Sequence, residues 1–509
     1  MVATIVAFIV NLGINFILSP YIIENVGVDA YGFVTLANNF VNYTSLITIA
    51  LNSMAGRFIT IEIHKNNEKE ANKYFNSVLV ANLIISAVLI VPTIIMVFFL
   101  DKIINIPENI VLDTKVLFGL VFFNFAFGII NTTYSIATFV RNRLDLSSRR
   151  NIESYVIKAV ILIVLFTFFS PRIAYVGIAS CAVSLFLIIC NIRYTKKLLP
   201  EIKVNIKDFE VSKILTIMKS GVWNTVTKLG QILSDGLDLL ICNIWIDSEA
   251  MGQLSVAKTI SGVISNLLAS VSSIFQPNLT ICYAKNQIQE LIRELKMSMK
   301  VTGLFANIPL TYLLVFGSVF YTAWVPNQNI QLIQILTILT VQGEVISGVI
   351  TPMYSIYTVT NNVRADAIIR VVTGFINVLI VFLLIKFTSL GIYAVAAVSI
   401  ITGTLVNVTF VPIYIAKKCL KVKWNTFYPI TIRYVATSVG LIIILLGIKM
   451  LVDKLGLTYS WITVIETAGV TGIIGLIINY IFLFSKEEKG QLIGAIKGFI
   501  SKKKGVKNS

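Results

Sequence analysis

Stretches of about 20 apolar residues, each long enough to cross the hydrocarbon core of a bilayer, recur from one end of this 509-residue chain to the other. Inside hydrocarbon the backbone has no water to bond to, so only helices and closed barrels can span. The apolar runs are continuous rather than alternating, which selects helices. Fourteen spans result: 2–23, 31–54, 74–99, 116–140, 152–169, 173–192, 220–244, 253–276, 301–322, 331–356, 366–385, 391–415, 428–450 and 461–484. Composition agrees, with 13% charged residues and a mean hydropathy of +0.84, against roughly 25% charge in soluble domains. No segment between spans is large enough for a soluble domain. The expected fold class is an all-α polytopic membrane protein.

The charges set the orientation. A net charge of +17 would point to nucleic acid in a soluble protein. Here no nucleic-acid partner is expected, because the stretches after the even-numbered spans, with the C-terminal tail, carry 33 of the 42 Lys and Arg, and the opposite loops carry 6. The positive-inside rule then puts both termini in the cytoplasm, facing anionic membrane lipids. The remaining basic residues, Lys158, Lys228 and Lys258, fall inside spans. The apolar start is read as a first span that stays in place rather than a cleaved leader. The tail 486–509 reads as a basic amphipathic helix at the inner surface, and 201–219 as an amphipathic cytoplasmic linker. Five scattered cysteines and one histidine, His64, give no metal or cofactor site.

An internal repeat divides the spans. DAYGFVTLA (Asp29 to Ala37) and EAMGQLSVA (Glu249 to Ala257) share acidic-Ala-x-Gly-x-x-x-Leu/Val-Ala at an offset of 220 residues, and Thr60 meets Thr280 at the same offset. VGIA from Val176 and LGIYA from Leu390 form a fainter pair. Six spans separate equivalent helices. The halves therefore have the same topology, implying a pseudo-two-fold axis along the membrane normal with a site between them. The expected organisation is an N-lobe at 1–200, the linker at 201–219, a C-lobe at 220–418, two further spans within 419–485 and the tail.

Polar residues then pick out a site. At 100° per residue, Asn224, Lys228, Gln231, Asp235 and Asp238 share one face of the seventh span. Lys258, Ser261, Ser265, Ser272 and Gln276 do the same on the eighth, and Asn38, Asn42, Ser45 and Asn52 on the second. Asn11 and Asn15 on the first span map by the offset onto Gln231 and Asp235. Polar groups in a bilayer are costly unless paired or hydrated, so stripes on repeat-equivalent helices point to a shared aqueous cavity. Interhelical hydrogen bonding is the alternative. Lys158, Arg57 and Glu344 complete the candidate charges; Glu466 lies outside the repeat.

The fourteen spans, the GVDAYGFVTLA motif and the SDGLDLLICNIW end of the seventh span resemble the polysaccharide-transporter branch of the multidrug/oligosaccharidyl-lipid/polysaccharide (MOP) exporter superfamily, the Wzx-like flippases. The resemblance covers essentially the whole chain. It implies two six-helix lobes, a bacterial cytoplasmic membrane, and alternating-access export of a polyprenyl-pyrophosphate-linked oligosaccharide. It also implies a cationic cavity, which Lys228, Lys258, Lys158 and Arg57 would supply here. Asn11, Asn15, Asn38, Asn42, Asn52, Asn224, Gln231, Ser265 and Gln276 would bond the sugar, and Asp235, Asp238 and Glu344 would bind a coupling ion or balance the lysines. A polysaccharide polymerase and glycosyltransferases are the implied pathway partners. The cavity cations here are lysines where such flippases often have arginine. A lipid II flippase is the nearest neighbour within this class, and three other readings stand beside it: a cation-coupled drug antiporter; a membrane enzyme, which the short loops disfavour, as the lack of a GxxxxGK[ST] motif disfavours ATP hydrolysis; and a structural scaffold, which charged stripes in both lobes argue against.

Overall fold

The computed structural model describes residues 2–141, 143–456, 458–486 and 488–490, without the side chains of residues 2–12, Asn15 and Leu144. The described residues form helices joined by short connections. In order these are α1 (Val2–Asn25), α2 (Val28–His64), α3 (Glu68–Phe98), the short α4 (Leu100–Ile103), α5 (Val111–Val140), α6 (Leu144–Phe168) and α7 (Ala174–Leu198). An extended stretch leads to α8 (Val211–Gln231), which passes through a π-helical segment (Ile232–Gly236) into α9 (Asp238–Trp245). There follow α10 (Ser248–Ser273), α11 (Gln276–Ala284), α12 (Ile288–Trp324), α13 (Ile330–Ile350), α14 (Tyr354–Val359), α15 (Val363–Phe387), α16 (Ile392–Val408), α17 (Phe410–Tyr414), α18 (Tyr428–Lys454) and α19 (Trp461–Leu483).

Among the described residues, 12 helical stretches are long and apolar enough to cross a membrane, and they fall on twelve of the expected spans. Of the other two, the first coincides with α1, and the seventh is divided by the π segment. Several helices run beyond their apolar part: α2 continues to His64 and α12 begins at Ile288 rather than 301. Hydropathy measures the embedded length, whereas the helix goes on until a capping residue stops it. After α2 that residue is Asn66 (φ 56°), with Asn67 N donating back to Glu62 O; after α11 it is Asn286 (φ 56°), with Gln287 N donating to Cys282 O. Asn66 and Asn286 are 220 residues apart, so the repeat extends to this left-handed cap. The eighth expected span, 253–276, also differs: α10 ends at Ser273, and Gln276 opens α11 with Pro277 in its first turn.

The chain forms two compact units, one of residues 1–256 with 364–398, the other of 257–363 with 399–509. These boundaries differ from the lobe boundaries read off the repeat. In the first unit, Leu51, Ala55, Ile59, Phe75, Val78, Ala137 and Ile217 from α2, α3, α5 and α8 make one buried core. The start of the expected linker is held along α3. Asn72 Nδ2 donates to Glu201 O (2.8 Å) and its Oδ1 accepts from Lys203 N (2.7 Å). One turn on, Asn76 does the same with Lys203 O (2.8 Å) and Asn205 N (2.9 Å). Two carboxamides four residues apart on α3 thus match the repeat of an extended strand, and α8 begins at Val211, nine residues before the expected span. In the second unit, α18 and α19 pack on α12, where Asn307 bonds Asn479 (2.9 Å) and Lys300 pairs with Glu488 (2.6 Å).

Candidate functional site

Within the first unit α2 and α8 run antiparallel, in contact near Ala50 and Gly221. Along this seam Asn224 Nδ2 donates to Ser53 Oγ (3.0 Å), and Lys228 Nζ donates to Asn42 Oδ1 (3.4 Å). Among the described residues that long bond is the only hydrogen bond of the Lys228 ammonium, which has three donors. Lys228 is half-exposed and Asn38 and Asn42 are exposed, so the seam offers a cation beside open carboxamides. Asn52 turns the other way. It accepts from Asn82 (2.9 Å), which also donates to Thr133 Oγ1 (2.9 Å), tying α2, α3 and α5 together. The second-span stripe is therefore divided between an open part and interhelical bonding.

The π segment is the seam's second feature. Leu237 N donates to Ile232 O (3.1 Å), a bond spanning five residues in place of four. Such a turn frees carbonyls that hydrocarbon cannot satisfy. Two neighbouring helices meet them. From α15, Asn377 Nδ2 donates to Ser234 O (2.8 Å) and lies 3.5 Å from Leu233 O. From α2, the Tyr43 hydroxyl donates to Gly236 O. Gly374 makes the approach of α15 feasible, since a Cβ there would sit 2.5 Å from Leu233 Cβ. The inserted residue also separates the aspartates: Asp235 is exposed and Asp238 is 3% exposed. A regular helix would have kept both on one face.

Beyond the π segment the far ends close on each other. Asn243 and Asn105 exchange three hydrogen bonds of 2.7 to 2.9 Å. The repeat glycines Gly32 and Gly252 touch directly, a Cβ on Gly32 lying 2.9 Å from Gly252 Cα. Contact between residues 220 apart is what a local two-fold relation between α2 and the start of α10 requires.

The remaining candidates take no part in the seam bonds just described. Lys158 is half-buried on α6, and Arg57 is exposed on α2, one turn beyond Ser53. Gln231 is exposed at the end of α8. Lys258, Ser265, Gln276 and Glu344 belong to the second unit, on α10, α11 and α13; each is half-buried, and both Lys258 and Glu344 have interaction partners. The side chains of Asn11 and Asn15 lie outside the described residues.

Residues 1–278 match the family described as polysaccharide biosynthesis proteins. The chain belongs to this family. It is a multi-pass membrane protein, and its fold is that of transporters of the MOP superfamily. A curated relative, the uncharacterized membrane protein EpsK of Bacillus subtilis (strain 168), is 27% identical over 417 residues, 82% of each chain. Three solved structures share the fold. The lipid II flippase MurJ in an inward-closed conformation matches with a TM-score of 0.66 at 14% identity, over 94% of this chain and 97% of that one. An inward-facing multidrug resistance MATE transporter scores 0.60 at 14%, over 79% and 96%. A MOP superfamily transporter from Pyrococcus furiosus, described by the reverse polarity of its binding pocket, scores 0.60 at 12%, over 83% and 96%.

Against this family background, the residues that sequence reasoning missed are those that satisfy backbone rather than those that line a stripe. Tyr43, Asn377, Asn82 and Asn105 each bond a partner more than 29 residues away. A signal existed for Asn82 and Asn377, each a carboxamide within an otherwise apolar run, VLVANLII and GFINVLIVFLL.

Proposed function

We propose that this chain is a flippase that exports a polyprenyl-pyrophosphate-linked oligosaccharide, a cell-surface polysaccharide repeat unit, across the bacterial cytoplasmic membrane. One observation carries the reading: a half-exposed Lys228 with unused donors, set among Asn38, Asn42 and Asn224 on the paired helices α2 and α8, in a member of a polysaccharide biosynthesis family. An ammonium is a point-charge partner for phosphate, and carboxamides suit sugar hydroxyls. Both termini are cytoplasmic in this reading. The lobes 1–200 and 220–418 alternate in access, and Asp235, Asp238 and Glu344 bind a coupling cation or balance the lysines. Glycosyltransferases act before it and a polymerase after it. A cationic drug fits poorly, because Lys228 would repel it. Lipid II belongs to the same ligand chemistry.

Deleting the gene and weighing the extracted polyprenyl lipids tests this. Accumulation of a sugar-loaded polyprenyl pyrophosphate is expected, its mass naming the glycan. Plasmid-borne wild type should clear it, and Lys228→Ala should not. An unchanged lipid pool with new sensitivity to cationic dyes would overturn the reading.

A further inference from the structure

We propose that Tyr43 and Asn377 are positioning residues that clamp a π turn in the seventh span, and that relaxing this turn to α-helix is what rotates the span's outer half. The argument is one of backbone accounting. A π turn holds one residue more than an α turn, so within a bilayer it persists only where outside donors take the carbonyls it frees. Here those donors come from two different helices on two sides: Asn377 on α15 takes Ser234 O, and Tyr43 on α2 takes Gly236 O. Asn377 is 1% exposed, so its amide has no solvent alternative. Gly374, one turn earlier, permits the close approach.

The downstream consequences follow from helix geometry. Converting the turn to α register rotates everything after it by about 100° and shifts it by about 1.5 Å. That moves Asp238 and Cys242, now 3% and 0% exposed, out of the core. It also carries Asn243 away from its three hydrogen bonds with Asn105. One local change thereby alters which aspartate is accessible and undoes the contact at the far end of the span. Tyr43 sits one residue from Asn42, which accepts from Lys228, so a ligand drawing Lys228 off Asn42 acts beside the clamp. Calling the rotation a transport step rests on the proposed function; the clamp itself does not.

The test uses the full-length chain in membranes with Cys242 retained and Cys181, Cys190, Cys282 and Cys419 replaced by serine. Labelling by N-ethylmaleimide is followed in time. Asn377→Leu and Tyr43→Phe each remove a donor and are expected to raise the labelling rate about tenfold, the worth of one hydrogen bond. Asn377→Gln, which keeps the donor, should stay within twofold of wild type, an allowance for its longer side chain. Deleting Leu233 removes the extra residue, leaves Asn243 on its present face, and should abolish the effect of Asn377→Leu. Unchanged labelling in both Asn377→Leu and Tyr43→Phe overturns the proposal. So does an equal rise from Asn377→Leu in the Leu233-deleted chain, which would mean general loosening. No substrate enters these measurements, so they fail or succeed independently of the flippase assignment.

Discussion

Gly252→Ala adds one methyl where the structure leaves no room for it. A Cβ at Gly252 would lie 2.5 Å from Val28 O, 2.7 Å from Val28 C and 3.0 Å from Asp29 N. All three are backbone atoms at the start of α2, so no side chain can swing aside. Overpacking of this kind costs about 1–3 kcal/mol. In any state where the start of α2 has moved away from α10, the clash is absent and the change from Gly to Ala favours the helix by up to about 1 kcal/mol. The substitution therefore penalises the closed arrangement selectively, and 1–3 kcal/mol corresponds to an increase of about 5–150-fold in the separated population. Ala30, now 0% exposed, reports it. In a cysteine-free chain carrying Ala30→Cys, a membrane-impermeant maleimide added to intact cells should label faster by that factor. An equal rate with and without Gly252→Ala refutes the reasoning. Should the variant fail to accumulate, Gly32→Ala substitutes for it, because one of its close contacts is the flexible end of Met251 (Cε at 2.8 Å).

Two further perturbations address the chain outside the seam. Asn72→Ala with Asn76→Ala removes four hydrogen bonds from the strap at 201–205; at about 1 kcal/mol or less for each in this half-exposed setting, trypsin should cut at Lys203 and Lys207 at least about tenfold faster, and unchanged cleavage would show that the strap is held by other contacts. Glu488 pairs with Lys300 at 2.6 Å and caps Ser485 N at 2.7 Å. Burial raises its carboxyl, but the bonds from Lys300 and Ser485 outweigh burial and hold it below its ordinary value of 4.5. A lowered folded value means the contact stabilises at neutral pH and is lost as pH falls below that range. Glu488→Gln should accordingly lower thermal stability at pH 7 by about 1–2 kcal/mol, discounted for partial exposure, and should narrow the wild type's loss of stability on acidification; a melting temperature unmoved at pH 7 refutes the coupling.

The parts of this molecule that were legible in its sequence are those fixed by the solvent. Apolar length is dictated by bilayer thickness, so twelve of the expected spans fall on described helices long and apolar enough to cross, and the acidic-Ala-x-Gly pattern located two glycines that prove to touch. Hydropathy is silent where a helix continues past the membrane, which is why α2 and α12 are longer than expected. The left-handed caps were within reach, since Lys65-Asn66 and Lys285-Asn286 stand at the repeat offset. A polar stripe, by contrast, shows which residues share a face and not what that face meets. Asn42 and Asn52 read alike in sequence, but one faces Lys228 and the other Asn82.

The π segment explains why the seventh span was the hardest to read. Projecting Asp235 and Asp238 onto one arc assumes four-residue bonding throughout, and one five-residue bond at Leu237 breaks that assumption. Nothing in ILSDG compels the break; any short segment of this kind could continue as α-helix. The deciding residues, Tyr43 and Asn377, are distant in sequence and act on backbone atoms that every residue possesses. A feature stabilised in this way is reversible by design of its parts: the same carbonyls can bond within the helix or to the neighbours. In the proposed flippase, that choice, together with a cation held by one long hydrogen bond, makes the seventh span the element that would couple ligand binding to helix movement.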